Sequence, residues 1–372
     1  MRPLDGIRVV DFTEGAQGPY AASLLGDLGA EVVKIERPDG ELMRRAGPFR
    51  NGLALPILSL ARSRHAALAL DLKQEADRAT AKRLIGVADM MLQNWKPGTD
   101  AKLGLAFHQV RLFSPNIVYV QASGYGSRGP FGAMGAMDSL SQAFSGMCTL
   151  SGDPKGSGER ARSPILDFVS AFVTAEAAMI GLTARRKHGR ATLVDTSQMS
   201  AAMDASAPEV ATAARQRVAP AGRSSRYLPL GGWFACADGT FVSLECRDDS
   251  EVAAAARAFG IDTDQAIGPA IERVFAARES AGVLALLKDA GLNAYRVERR
   301  FTPGLFDPHP GVVNTQHDDA AGEIVHPEAP ILMSATPPRA GQTLGAIGRD
   351  NPLIERLIAQ WGERMQAPPQ KD

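Results

Sequence analysis

Cysteine is scarce in this 372-residue chain: Cys148, Cys236 and Cys246 are the whole supply, and their wide spacing makes neither a disulfide framework nor a zinc site. A reducing, cytoplasmic location is the expectation. Net charge is missing too. Forty-one Lys plus Arg balance 41 Asp plus Glu, so no global field recruits nucleic acid or an anionic membrane, and an anionic ligand needs local cations. The opening MRPLDGIRVVDF has no apolar core of signal-peptide length, and no later run is expected to reach transmembrane length. The six histidines show no metal-ligand spacing, even where His309, His317 and His326 share a loop-rich stretch, so no metal is expected. Three catalytic signatures are absent as well. The first turn, EGAQGPY, lacks the G-x-G-x-x-G spacing of a nicotinamide or flavin site, and there is neither a Walker motif nor a G-x-S-x-G elbow.

What is present is an ordinary globular composition, 45% hydrophobic and 22% charged, in a chain long for one domain and comfortable for two. IRVVDF (7–12), AEVVKIE (30–36), ALALDL, DMMLQN and NIVYVQASGYG (116–126) have the apolar, β-branched character of buried strands. PYAASLLGDLG and EADRATAKRLIGVA between them have helical patterns. Strands alternating with helices predict an α/β fold: a large Rossmann-like domain with a mainly parallel sheet over 1–200. A linker is expected over 201–224. A smaller α+β domain over 225–315 follows, carrying a hairpin around Asp238-Gly239 and helices at 250–259 and 278–290 closed by Gly260 and Gly291. Residues 316–372 are expected to return to the first domain and end in a helix, NPLIERLIAQWGERM.

In a parallel sheet, ligands bind beyond the carboxyl ends of the strands. Basic residues stand at several such ends: Arg37 after VVKIE, Lys73 after ALALDL and Lys96 in LQNWKPG, with Lys102 just beyond. Trp95 beside Lys96 offers a flat face to a base. Together these suit a phosphorylated, nucleotide-like ligand, although solvated surface is the ordinary place for Lys and Arg. In SPILDFVSAFVTAEAAMIGL (163–182), Asp167 opens a long apolar helical pattern. Local physics offers it two roles, helix N-cap or reactive carboxylate.

The segment PLDGIRVVDFTEGAQGPYAASLLGDLGAEVVKIERPDG resembles the N-terminus of the class III CoA-transferase family, which includes formyl-CoA and carnitine CoA-transferases and α-methylacyl-CoA racemases. LQNWKPGTDAKLGL, GLTARRKHGRATLVDTSQMSAAM (similar to the family's helix–loop–helix after its catalytic residue), AGLNAYRVERRFTPGLFDPHPGVV and LGAIGRDN extend the likeness over essentially the whole chain. The resemblance implies that Asp167 is a nucleophile, forming a mixed anhydride and then an aspartyl-CoA thioester. CoA enters as a co-substrate and a free carboxylic acid is the acceptor. It implies that Arg37, Leu70, Lys73, Asn94, Trp95 and Lys102 hold the CoA nucleotide and that Gln17 lies near the thioester, the family's glutamine aligning one place earlier at Ala16. An interlocked homodimer is implied too. The racemase branch uses a histidine where GAMDSLSQ has Met137; Asp138 beside it matches an acidic residue of the transferases and is expected to be catalytic with Asp167, a helix N-cap or a structural hydrogen bond being its bland alternative. Where formyl-CoA transferase carries a run of four glycines, the comparable region here holds only Gly231-Gly232. Transfer of CoA between an acyl-CoA and a carboxylic acid is the leading reading. A racemase of α-substituted acyl-CoA and a CoA-binding pseudoenzyme stay open as alternatives.

Overall fold

The computed structural model of the chain describes residues 2–150, 158–213, 229–262, 266–298, 312–318 and 321–366. Two compact units emerge: Met1–Met147, Ala161–Val210 and Pro308–Asp372 form one, and Cys148–Arg160 with Ala211–Asp307 the other.

The first unit begins with β1 (Arg8–Asp11), α1 (Gln17–Asp27) and β2 (Glu31–Glu36). A small hairpin, β3 (Phe49–Arg50) and β4 (Leu53–Ala54), leads through α2 (Leu55–Leu60) to β5 (Ala66–Ala69), α3 (Glu75–Gly86) and β6 (Met90–Gln93). Then come α4 (Thr99–Leu103), α5 (Phe107–Phe113), β7 (Val118–Ser123), α6 (Asp138–Ser145), α7 (Ile165–His188), β8 (Thr192–Ser197), α8 (Gln198–Ala205) and α9 (Ala207–Ala213). Six strands pair in parallel in the order β5-β2-β1-β6-β7-β8, so that in chain order the sheet runs 3-2-1-4-5-6. That is the doubly wound order, with its switch point between β1 and β6.

The apolar runs of these strands bury both faces. Val10, Val33, Met91 and Tyr119 join one cluster with Leu84, Ile85 and Val110 of the covering helices. Their neighbours Val9, Val32, Met90 and Val118 face the opposite way, onto Ala22, Leu25 and Ala178 of α1 and α7. The chain returns through a hairpin, β12 (Val313–Asp318) and β13 (Gly322–Pro327), and ends in α13 (Ile354–Gln366), numbered after the second unit's elements. α13 seats Trp361, fully buried, in the first of these clusters.

By length and composition α7 could cross a membrane, its most apolar stretch having a mean hydropathy of 1.7, contrary to the expectation that no run reaches that length. Here it lies against α1, β7 and β8 along a buried stripe of small residues: Ser170, Ala171, Thr174, Ala175, Ala178 and Gly181. A Cβ at Gly181 would stand 2.7 Å from Val118 Cγ1, so only glycine lets the helix settle this deep. The segment GLTARRKHGRATLVDTSQMSAAM is not helix–loop–helix. Between α7 and α8 it contributes β8, the sixth strand of the sheet. The alternating exposure of Thr192–Asp195 along this edge strand leaves little continuous apolar signal in the sequence.

The second unit packs β9 (Leu230–Ala235), β10 (Phe241–Cys246) and β11 (Ala294–Arg296) as an antiparallel sheet in the order β11-β10-β9. Its helices are α10 (Asp249–Phe259), α11 (Ile267–Ala276) and α12 (Ser280–Asp289), and Val242, Leu244, Ile271, Phe275 and Val283 centre its core. The Asp238-Gly239 turn joins β9 to β10 as the sequence indicates. Gly260 closes α10 in the left-handed conformation; α12 is closed by Ala290, with Gly291 one place later. Gly231 and Gly232 are strand residues of β9, paired with Glu245 and Leu244, rather than a loop.

Candidate active site

A cleft of about 460 Å³ opens beyond the carboxyl ends of β1, β2, β5 and β6, at the switch point of the sheet. Phe12, Glu14 and Gly15 follow β1, Arg37 follows β2, Leu70–Lys73 follow β5, and Asn94–Lys96 follow β6. Of the residues expected to hold a nucleotide, Arg37, Leu70, Lys73, Asn94, Trp95 and Lys96 therefore share one lining. Trp95 rests on Phe12, ring centroids 5.2 Å apart, with its backbone N–H donating to Gln93 Oε1 at 2.8 Å. Arg37 is exposed and faces Glu14 at 3.2 Å and Asp39 at 3.8 Å. Lys102 occupies the last turn of α4, exposed, and is not part of this lining.

Asn94 does something the sequence does not disclose. Its Oδ1 accepts the Glu14 N–H at 2.9 Å and its Nδ2 donates to the Glu14 carbonyl at 2.7 Å, clamping the loops after β1 and β6 across the switch point. The loop after β1 is anchored from below by buried ions. Asp11 accepts hydrogen bonds from the Thr13 N–H and hydroxyl, and Arg64 spans Asp11 Oδ2 at 3.2 Å and the Pro19 carbonyl at 2.9 Å. Lys34 donates to the Thr13 carbonyl and stands 3.7 Å from Asp11, all three charged groups being fully buried. Glu41, also buried, accepts the Gly15 N–H at 2.9 Å, and burial pushes its carboxyl up. Gly18 completes this arrangement, because a Cβ there would meet Thr13 at 2.2 Å.

α1 connects the cleft to Asp167. Gln17, its first residue, is buried, and among the described residues its Nε2 has no hydrogen-bond partner. One turn on, the Tyr20 ring meets Phe168 edge-on at 5.0 Å. Asp167 itself is half-buried in the first turn of α7. It is not the cap. Asp138 Oδ1 accepts the N–H groups of Leu166 at 2.8 Å and Asp167 at 3.2 Å, while Asp138 Oδ2 accepts from Gln142 Nε2. Gln142 Oε1 in turn accepts the Ala161 N–H at 2.9 Å. Asp138 thus caps α7 from a distance, with hydrogen bonds accepted at both of its oxygens.

This capping reverses the electrostatics expected of a helix start. Free N–H groups and the helix dipole would keep a carboxylate ionised. Here the Leu166 and Asp167 N–H groups are committed to Asp138. Burial pushes the Asp167 carboxyl up from its ordinary 3.8 to about 6, the Asp138 charge pushes the same way, and a hydrogen bond from Gln198 Nε2 to Oδ1 opposes both. A carboxylate of this kind is a stronger base than an ordinary one yet still ionised by about ten to one at pH 7. The sequence pattern does not single out Gln198 or its partner Ser141. Recognition of β8 as a strand was the missing signal, since Gln198 follows its carboxyl end. His309 lies outside the described residues, as do Arg223 and Arg226, two linker arginines that the sequence offers as partners for a second carboxylate of a diacid substrate.

A sequence model of CoA-transferase family III matches residues 4–354. The chain is 34% identical over 257 residues to the succinyl-CoA–L-malate CoA-transferase alpha subunit of Chloroflexus aurantiacus, covering 66% of this chain and 59% of that one. It spans little more than half the length of several curated relatives it matches. Succinyl-CoA–D-citramalate CoA-transferase of the same organism is 30% identical over 377 residues, 94% of this chain and 92% of the relative. The crystal structure of a CAIB/BAIF family protein from Brucella suis shares the fold, with a TM-score of 0.84, 20% identity and coverage of 96% and 99% of the two chains. The chain belongs to CoA-transferase family III.

Proposed function

We propose that this protein moves CoA from an acyl-CoA thioester to a free carboxylic acid, with Asp167 as the covalent nucleophile. The observation that carries the reading is the Asp167 carboxylate itself: half-buried, raised to about 6 and fixed by Gln198, in the same unit as a cleft with cations and a tryptophan at the sheet's switch point. Asp167 attacks the thioester carbonyl carbon, the C–S bond breaks, and CoA leaves as thiolate. The mixed anhydride then takes the thiolate back at the aspartyl carbon, releasing the donor acid. The acceptor carboxylate displaces CoA from the aspartyl thioester, and the thiolate finally attacks the acceptor's carbonyl. Each hard step is split into easier ones. Gln17 Nε2, buried and without a hydrogen-bond partner among the described residues, supports a place for that amide at the thioester oxygen.

Names among the relatives, malate and citramalate as acceptors of CoA from succinyl-CoA, support carboxylic acids of this kind as substrates. Against the racemase reading stands Met137, a thioether that cannot take a proton, at the position of that branch's histidine. A homodimer is the proposed working form. The exposed apolar side chains Phe131, Met134, Met137, Leu140 and Phe144 support it. Three free thiols support a reducing, cytoplasmic location. Incubation of acyl-CoAs with a panel of mono- and dicarboxylates, read by mass for new thioesters, tests the function. Binding of acyl-CoA with no new thioester from any pair would contradict it.

The cleft makes its own prediction. If Arg37 and Lys73 hold the CoA phosphates, Arg37→Ala should weaken CoA binding by about 1–3 kcal/mol, the range of a lost charge-assisted hydrogen bond. Calorimetry is expected to show this loss, and to show CoA bound more tightly than dephospho-CoA by the wild type. Equal affinities for the two would remove the ribose phosphate from this cluster.

A further inference from the structure

The reading of Asp167 as a nucleophile leaves open which of its oxygens reacts and what holds the other. We propose that Gln198 is a catalytic residue: its amide N–H holds Asp167 Oδ1 as an oxyanion donor, leaving Oδ2 as the attacking and departing oxygen. The proposal rests on the nucleophile reading and on four observations about this group of side chains.

Gln198 is 4% exposed and begins α8 directly at the end of β8, so its backbone is fixed on both sides. Ser197, the residue before it, caps α8 by accepting the Ser200 N–H at 3.0 Å. The Ser141 hydroxyl, fully buried, donates to Gln198 Oε1, which forces the amide nitrogen toward Asp167. Turned the other way, the amide would set its carbonyl against a carboxylate. Finally, Oδ1 takes the Gln198 hydrogen bond, whereas among the described residues Oδ2 accepts none.

The consequence follows from atom balance. Oδ2 attacks the thioester carbon and becomes the bridging oxygen of the anhydride. Oδ1 is then the carbonyl oxygen of the aspartyl half, still held by Gln198. When the CoA thiolate adds to Cγ, the electron pair of the Cγ–Oδ1 double bond moves onto Oδ1, and the negative charge develops against the Gln198 N–H. Collapse of this adduct breaks the Cγ–Oδ2 bond, and the donor acid leaves carrying Oδ2. A donor preset where charge develops typically contributes 10²–10³-fold to such a step.

The experiment is a single turnover with acyl-CoA and no acceptor, quenched rapidly and read by intact mass. Wild type should release the donor acid and gain CoA on Asp167. Gln198→Leu should slow adduct formation by roughly 10²-fold or more while acylation of Asp167 persists, so that acylated enzyme accumulates. Ser141→Ala, which frees the amide without removing it, should slow the same step by a smaller factor. The pH profile supplies a readout that a merely structural role would not move. Asp167 must be ionised to attack, so the acid limb of kcat/KM is expected near pH 6 in wild type, and losing the hydrogen bond that favours the charged form should shift it higher. Adduct formation at the wild-type rate in Gln198→Leu, or an acid limb unmoved in both variants, overturns the proposal. No CoA adduct in the wild type would instead remove the nucleophile reading beneath it.

Discussion

Asp167→Asn should abolish CoA transfer and, at the same time, raise the melting temperature. An amide has no carboxylate to form the anhydride, so activity should fall by at least about 10⁴-fold, as when a covalent nucleophile is removed. The stability gain follows from linkage. Asp167 has a folded value of about 6 against an ordinary 3.8, so the folded state binds its proton more tightly than the unfolded state does. Its charged form therefore costs stability above pH 6, and the cost disappears as pH falls from about 6 toward 4. Two units correspond to about 3 kcal/mol at most, and partial solvent contact reduces this to roughly 1–3 kcal/mol. Asn removes that cost and still offers an oxygen to Gln198. Thermal unfolding at pH 7.5 should thus favour the variant by a few degrees, with the difference shrinking near pH 5. A folded variant that retains full transfer would end the nucleophile assignment.

Arg64→Leu should be the most damaging single change to the fold, costing about 3–5 kcal/mol in denaturant unfolding. Arg64 is fully buried and joins Asp11 to the carbonyls of Pro19 and Arg62. Removing it leaves Asp11 with Lys34 at 3.7 Å as its remaining cation and strips two buried carbonyls of a donor. The damage should reach function, since the same cluster sets the loop from Thr13 to Gln17 at the lip of the cleft. CoA affinity measured below the unfolding transition should fall as well. A variant as stable as wild type would show that the buried ions are not what anchors this loop.

The fold was legible where burial was simple. β1, β2, β6 and β7 are largely apolar runs, interrupted in β2 by the buried Lys34, because both faces of the central sheet are covered, and the residues after such strands face the ligand by topology. Arg37, Lys73, Trp95 and Lys96 could be found on that rule. β8 could not, because an edge strand with alternating exposure carries few apolar residues, and Gln198 was lost with it. The cap of α7 was illegible for another reason. Pattern rules look for a cap next to its helix, whereas Asp138 reaches the Asp167 N–H from 29 residues earlier in the chain. Asn94 lines the cleft, and its amide pairs with the Glu14 backbone across 80 residues, a contact that no local pattern encodes.

Chemical trapping tests the nucleophile most directly. Wild-type protein incubated with an acyl-CoA that supports transfer, then treated with neutral hydroxylamine and digested, should yield a hydroxamate on the peptide containing Asp167, dependent on the acyl-CoA. Both the anhydride and the aspartyl thioester are open to this attack, whereas an unactivated carboxylate is not. A hydroxamate at another residue, or none at Asp167 while transfer proceeds, would contradict the account.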